Sequence, residues 1–94
     1  MSSISPLSIF LSKAQEDEAI SPVHISLFIS ILQCWKNAEK INPIPVTRRN
    51  LMRISKIRSI STYHKCIKDL SRSGYITYTP SFNPSGSLIF LNKQ

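Results

Sequence analysis

Apolar side chains recur along this chain with two different periods. Up to residue 73 they return every three or four positions, which is the spacing of one face of a helix. After Gly74 the period changes from helical to two in residues 75–79, as in a half-buried strand, and residues 88–91 are all apolar. The pattern predicts helices over residues 5–14, 22–40, 48–57 and 60–73, followed by a hairpin of strands 75–79 and 88–91 around the loop 80–87.

Residues typical of helix ends stand where these segments begin and stop. Ser21 is followed by Pro22, a capping hydroxyl before proline at the first helical position. Thr47 caps the third helix after an extended stretch that contains two prolines, residues 43–46. The fourth helix has two candidate caps, Ser59 and Ser61, and Gly74 in the usual terminating position. The helix order therefore has local support at both ends.

The second helix is apolar around most of its circumference, so we expect it to lie at the centre of the fold. An acidic link, residues 16–18, separates it from the first helix. We therefore divide the chain into an N-terminal helical arm with its link, residues 1–19, and a domain of residues 20–94. In the fourth helix the three- and four-residue rhythm predicts four inward side chains: Tyr63, Cys66, Ile67 and Leu70.

Charge is distributed unevenly along the chain. Residues 47–72 hold eight basic residues and one acid, Asp69, and this segment accounts for the whole net charge of +7. Elsewhere four bases and four acids cancel. A basic block between neutral flanks is typical of a surface that meets a polyanion, although a solvated basic face without a partner has the same composition. Helical geometry turns Thr62, Lys65, Lys68, Asp69 and Arg72 outward, with Ser61 and His64 at the edges.

Several classes of function lack support in the sequence. The 94 residues suffice for one small domain, and no run of about eighteen apolar residues or secretory start occurs, so we expect a cytoplasmic protein without a membrane contact. Two cysteines and two distant histidines have no metal-site spacing. With few acids and no catalytic motif, we expect neither an enzyme nor a cofactor, and no small-molecule ligand.

Helix, short strand, helix, turn, helix and hairpin is the order of a winged helix-turn-helix. The segment Thr62-Tyr-His-Lys-Cys-Ile-Lys-Asp-Leu70 followed by Gly74-Tyr-Ile resembles the winged-helix segment of many bacterial regulators. Together with His24-Ile-Ser-Leu-Phe28, Trp35, Arg49-x-Leu51-Met52, Ser61-Thr-Tyr-His-Lys65 and Pro80-Ser-x-Asn-Pro-x-Gly-Ser87, it is similar to small transcriptional regulators of conjugative and other mobile elements. The resemblance implies a mainly α fold with a small β-hairpin: a three-helix core, a wing sheet of two to three strands and an extra N-terminal helix.

The same resemblance implies sequence-specific binding of double-stranded DNA and regulation of transcription. Helix 60–73 would enter the major groove, with backbone contacts from residues 48–58 and from the wing, residues 80–87. The residues expected at base edges are Ser61, Thr62, His64 and Lys65. The residues expected at phosphates are Arg49, Arg53, Lys56, Arg58, Ser59, Lys68, Arg72, Asn83 and Ser85.

Two alternatives stay open at this stage. The domain could dock another protein as an interaction or assembly module, or serve as an accessory factor in replication, excision or conjugation of a mobile element. A homodimer on a two-fold DNA site is a further option, because the apolar residues 7–11 and parts of the second helix could form its contact.

Overall fold

The computed structural model describes residues 5–80 and 86–92. Within them the fold is mainly helical, with four helices and one small three-stranded antiparallel sheet, which confirms the fold class at this level. The elements follow the expected order. Their bounds are α1 Pro6–Ala14, α2 Pro22–Asn37, β1 Ile44–Val46, α3 Arg48–Ser55, α4 Ile60–Arg72, β2 Ile76–Thr79 and β3 Ser87–Leu91.

Side-chain hydroxyls cap three of these helices. Ser5 Oγ accepts from the backbone N–H of Ser8 at 3.1 Å, and Thr47 Oγ1 accepts from that of Asn50 at 3.1 Å. At α4 the cap is Ser59, whose Oγ accepts from the N–H of Thr62 at 3.2 Å. Each cap satisfies a backbone donor that has no partner within its own helix, a contribution of about 1 kcal/mol.

Helix α2 lies at the centre of the core, as its apolar circumference predicts. Leu27 and Ile31 are fully buried, and they belong to one hydrophobic cluster with Leu51 of α3, Leu70 of α4 and Ile89 of β3. A large hydrophobic core of this kind is the main stabilising term for a chain of this length. It holds α3 and α4 against α2 and so fixes which of their faces reach the solvent.

Helix α1 packs into the same core through an aromatic cluster. Phe10 is 1% exposed, and its ring stacks on that of Phe28 with centroids 3.9 Å apart. Tyr75, just before β2, meets the Phe10 ring edge-on at 4.9 Å. Such pairs add about 0.5–1.5 kcal/mol to the burial of their area. Residues 6–14 thus share a core with the rest of the chain, and the division after residue 19 stays a prediction.

The sheet has the order β1-β3-β2, so the last strand is the central one. Ile44 of β1 is opposite Ile89 of β3, which in turn is opposite Tyr78 of β2. The extended stretch before α3 therefore becomes the third strand of the sheet. Gly86 enters β3 at a φ of 109°, and a Cβ there would overlap the Val46 carbonyl, so this close approach of β1 and β3 requires glycine.

Candidate nucleic-acid interface

The eight basic side chains of residues 47–72 are all exposed. Seven of them form no ion pair within residues 5–80 and 86–92; the exception is Lys65. A buried core beneath them and solvent above leave these charges available to a partner. We call this set the basic surface: Arg48, Arg49, Arg53, Lys56, Arg58, Lys65, Lys68 and Arg72.

Helix α4 has one buried and one exposed face. Its four predicted inward residues are between 0% and 4% exposed, which confirms the expected orientation of the helix. The opposite face carries three hydroxyl or imidazole groups and three cations, and all but the half-buried Thr62 are exposed. These outer residues are Ser61, Thr62, His64, Lys65, Lys68 and Arg72.

Asp69 does not lie freely on this outer face as its sequence position suggests. The carboxylate is only 20% exposed and accepts two hydrogen bonds at the same oxygen, Oδ2. One comes from Nε2 of His24 in α2 at 2.8 Å, and the other from Nζ of Lys65 at 2.9 Å. The reason for the difference is His24, whose buried ring draws the carboxylate toward α2. The single acid of the basic segment is thus fixed between two donors.

The tautomer of His24 follows from its second partner. The backbone N–H of Ser21 points to Nδ1 at 3.0 Å, and an amide N–H can only donate. Nδ1 is therefore the acceptor, and Nε2 carries the proton that it donates to Asp69. The ring is 4% exposed, so this arrangement links the start of α2 to α4 within the protein interior.

The charges of Asp69 and Lys65 stabilise each other. The hydrogen bond from Lys65, and after it that from His24, lowers the pKa of the Asp69 carboxyl below its ordinary value. The same contact raises the pKa of the Lys65 ammonium. Both groups are therefore ionised at neutral pH. The Lys65 side chain is nevertheless 73% exposed, so the pair lies at the protein surface rather than in the interior.

The turn between α3 and α4 differs from expectation at Lys56. The predicted third helix, residues 48–57, includes Lys56, but α3 ends at Ser55 and Lys56 has a left-handed conformation with φ 68°. The Ser55 carbonyl accepts a 2.7 Å hydrogen bond from Ser26 Oγ of α2, which holds the end of the helix. Lys56 thus projects from the turn, while Arg49 and Arg53 remain one helical turn apart on α3.

The start of α4 combines exposed hydroxyls with a cation. Ser59 Oγ caps the helix and lies 3.0 Å from Ser61 Oγ, and both residues are exposed. Arg58 stands immediately before them and is exposed as well. Backbone N–H groups at a helix start and a nearby cation both favour an anion. The geometry at Ser59 is therefore compatible with the predicted phosphate contact, although its hydroxyl also serves as the cap.

A groove of about 510 Å³ separates the second half of α4 from β2. Lys68 and Arg72 line one side and Tyr78 the other, and the Tyr78 hydroxyl lies 3.0 Å from Ser87 Oγ. The base of the hairpin therefore lies beside two cations of the basic surface. The predicted contacts of the hairpin tip, Asn83 and Ser85, fall outside the described residues.

Comparison with known proteins gives no family assignment. No protein-family model matches the chain, and neither a curated protein nor a solved structure is similar to it at a significant level. The geometry of the described residues thus carries the functional argument.

The described residues also bear on metal ligands, thiols and membrane-spanning helices. No cluster of three or more His, Cys, Asp or Glu side chains suits a metal ion in residues 5–80 and 86–92. Burial raises the pKa of both thiols, Cys34 and Cys66, which favours their neutral form. No helix in the same residues has the length and apolar character needed to cross a membrane.

The sequence pattern gave His24 no role in the site, although His24 begins one of the segments that carry the resemblance. Its position three residues after Ser21 is that of the Glu or Gln of a capping box, and its ring accepts the Ser21 N–H in the same way. This local signal was available in the sequence. The contact with Asp69 was not, because it joins residues 45 positions apart.

Proposed function

We propose that this chain is a winged helix-turn-helix protein that binds double-stranded DNA sequence-specifically and regulates transcription. The observation that carries the proposal is the division of α4 into a fully buried apolar face and an exposed face of hydroxyls and cations. A helix about 10–12 Å wide fits the major groove of B-DNA. The sheet order, in which β1 joins the hairpin, supports the same fold assignment.

In this proposal the start of α4 reads the base edges. The first two turns of α4 hold Ser61, Thr62, His64 and Lys65. This part of such a helix approaches the floor of the groove. Lys65 offers N–H donors to guanine O6 and N7, and the hydroxyls of Ser61 and Thr62 can donate or accept. These contacts would supply the sequence preference.

The other cations hold the helix in register on the duplex. Arg49 and Arg53 of α3, with Lys56 and Arg58 of the turn, stand on the segment just before α4, where a helix-turn-helix meets the DNA backbone. Lys68 and Arg72 extend the basic surface toward the hairpin. Neutralising phosphates in this way contributes affinity that depends on salt but not on sequence.

Selection of bound duplexes from a random pool, followed by affinity measurement against salt, tests the proposal. We expect an enriched sequence motif and, for about five neutralised phosphates, a slope of log K against log salt of roughly −4 to −5. A pool without enrichment and a slope near zero would favour the protein-interaction module instead. A selected motif that occurs at recombination sites or replication origins rather than at promoters would favour the accessory factor of a mobile element.

A further inference from the structure

The pairing of Lys65 with Asp69 bears on how this surface would discriminate between DNA sequences. Lys65 is the one member of the basic surface with an ion pair among residues 5–80 and 86–92, and it is also the central predicted base contact. A solvent-exposed pair of this kind adds little to stability. The contact of Asp69 with His24 can stabilise the fold, but the exposed contact with Lys65 suggests a role other than stabilisation.

Asp69 cannot follow Lys65 outward, because a second hydrogen bond restrains it. Nε2 of His24 donates to the same carboxylate oxygen at 2.8 Å, and the His24 ring is itself fixed by the Ser21 amide. The carboxylate thus has a fixed position set by α2. Lys65 Nζ, 2.9 Å away, is oriented by it, whereas Lys68 and Arg72 have no such partner in the described residues.

An ammonium group has three N–H donors, and the contact with Asp69 uses one. The other two remain available to acceptors on a base edge, so the pair is compatible with readout in the major groove. The attraction between Lys65 and a DNA phosphate is weaker, because the Asp69 carboxylate neutralises the Lys65 charge and repels the phosphate. The pair therefore weakens the contact common to all DNA sequences while preserving the contact specific to one.

We infer that Asp69, held by His24, is a specificity-determining residue that withholds Lys65 from phosphates while leaving it available to a base edge. The inference rests on the proposed function, since it assigns a role within the same DNA-binding surface. Its consequence is lower affinity for random DNA with little change for the preferred site.

Two variants with the same net charge test this role. Asp69→Asn removes the carboxylate charge, while its amide oxygen can still accept from His24 Nε2–H. Glu18→Gln makes the same change of charge at an exposed residue of the acidic link, away from the basic surface in the sequence. Binding of each protein to the selected duplex and to a random duplex of equal length is measured against salt.

For Asp69→Asn we expect about five- to tenfold tighter binding to the random duplex at about 0.1 M salt. The slope of log K against log salt should be steeper by about 0.9, because Lys65 becomes free to neutralise one further phosphate. Affinity for the selected duplex should change by less than about twofold, so the ratio of the affinities for the selected and the random duplex falls. Glu18→Gln should leave that ratio unchanged. Equal responses of the two variants would overturn the inference but not the proposed function.

A Lys65→Gln background shows whether Asp69 acts through Lys65. There, Asp69→Asn should change affinity for the random duplex no more than Glu18→Gln does; a persistent five- to tenfold effect would overturn the inference.

If Asp69→Asn fails to fold, Lys65→Gln is compared with Lys68→Gln. Lys65→Gln should lose less affinity for random DNA, and an equal loss contradicts the inference. Failure of the unaltered protein to bind either duplex overturns the proposed function itself.

Discussion

His24 and Asp69 are 45 positions apart in the chain, and their side chains meet at 2.8 Å through Nε2 and Oδ2. This hydrogen bond joins the central helix α2 to α4, which carries three residues of the basic surface. Because the Ser21 amide fixes the other ring nitrogen, His24 has a partner on both sides while 4% exposed. The contact is therefore structural as well as electrostatic.

Replacement of His24 by leucine should destabilise the protein. The variant leaves the Ser21 N–H and one carboxylate contact of Asp69 without their partner, and an unsatisfied buried polar group costs about 1–3 kcal/mol. The free energy of unfolding in urea measures this loss. His64→Ala is the matched control, since His64 is exposed and its removal should change stability by about 0.5 kcal/mol or less. Equal effects of the two variants would contradict the role of His24.

The contribution of Asp69 to stability should disappear in acid. Its pKa is lower in the folded protein than its ordinary value of 3.8, so the folded state binds this proton less readily than the unfolded state. Stability from Asp69 is thus complete above the unfolded pKa and is lost as pH falls through the folded one. Unfolding free energies of the unaltered protein and Asp69→Asn, measured between neutral pH and about pH 2, should differ by a constant amount above pH 5 and converge below pH 4. A difference that persists at the acidic end would argue against an ionised contact.

The local parts of the fold could be predicted from the sequence because their causes are local. The rhythm of Tyr63, Ile67 and Leu70 depends only on helix geometry, and the structure buries all three. The caps at Thr47 and Ser59 depend on residues three positions away. These predictions, each of which depends on a single element, agree with the structure.

Features that depend on pairing between distant elements were not predictable in the same way. Residues 43–46 read as extended, but their register opposite β3 depends on the packing of the whole sheet. Lys56 lies outside α3 because the helix ends at Ser55, whose carbonyl accepts a hydrogen bond from Ser26 Oγ of α2. The Asp69 carboxylate contacts His24 of α2, and the periodicity of α4 alone could not predict this contact. These differences all arise from contacts with other elements.

Phe10→Ala should test how far α1 contributes to the core. The Phe10 ring is 1% exposed and stacks on Phe28, and loss of a buried phenylalanine side chain typically costs about 3–5 kcal/mol. Leu7→Ala on the same helix is the control, because Leu7 is half-buried and should cost less. Thermal or urea unfolding measures both. A loss at Phe10 no greater than at Leu7 would mean that residues 6–14 pack only loosely on the domain.

Lys65→Ala should weaken binding to the selected duplex more than to random DNA. A base contact from a lysine ammonium carries about 1–3 kcal/mol of discrimination, whereas a phosphate contact carries none. Fluorescence anisotropy with both duplexes measures the ratio of the two affinities. Equal losses on the two duplexes would reassign Lys65 to the DNA backbone.

Arg49→Ala and Arg53→Ala should weaken binding to selected and random duplexes by similar factors. Both side chains are exposed one helical turn apart on α3, where we propose phosphate contacts that carry no sequence information. Each substitution should flatten the slope of log K against log salt by about one unit. Lys36→Ala, which removes an exposed charge from the end of α2 outside the basic surface, should change the slope much less. An unchanged slope in both arginine variants would exclude α3 from the DNA interface.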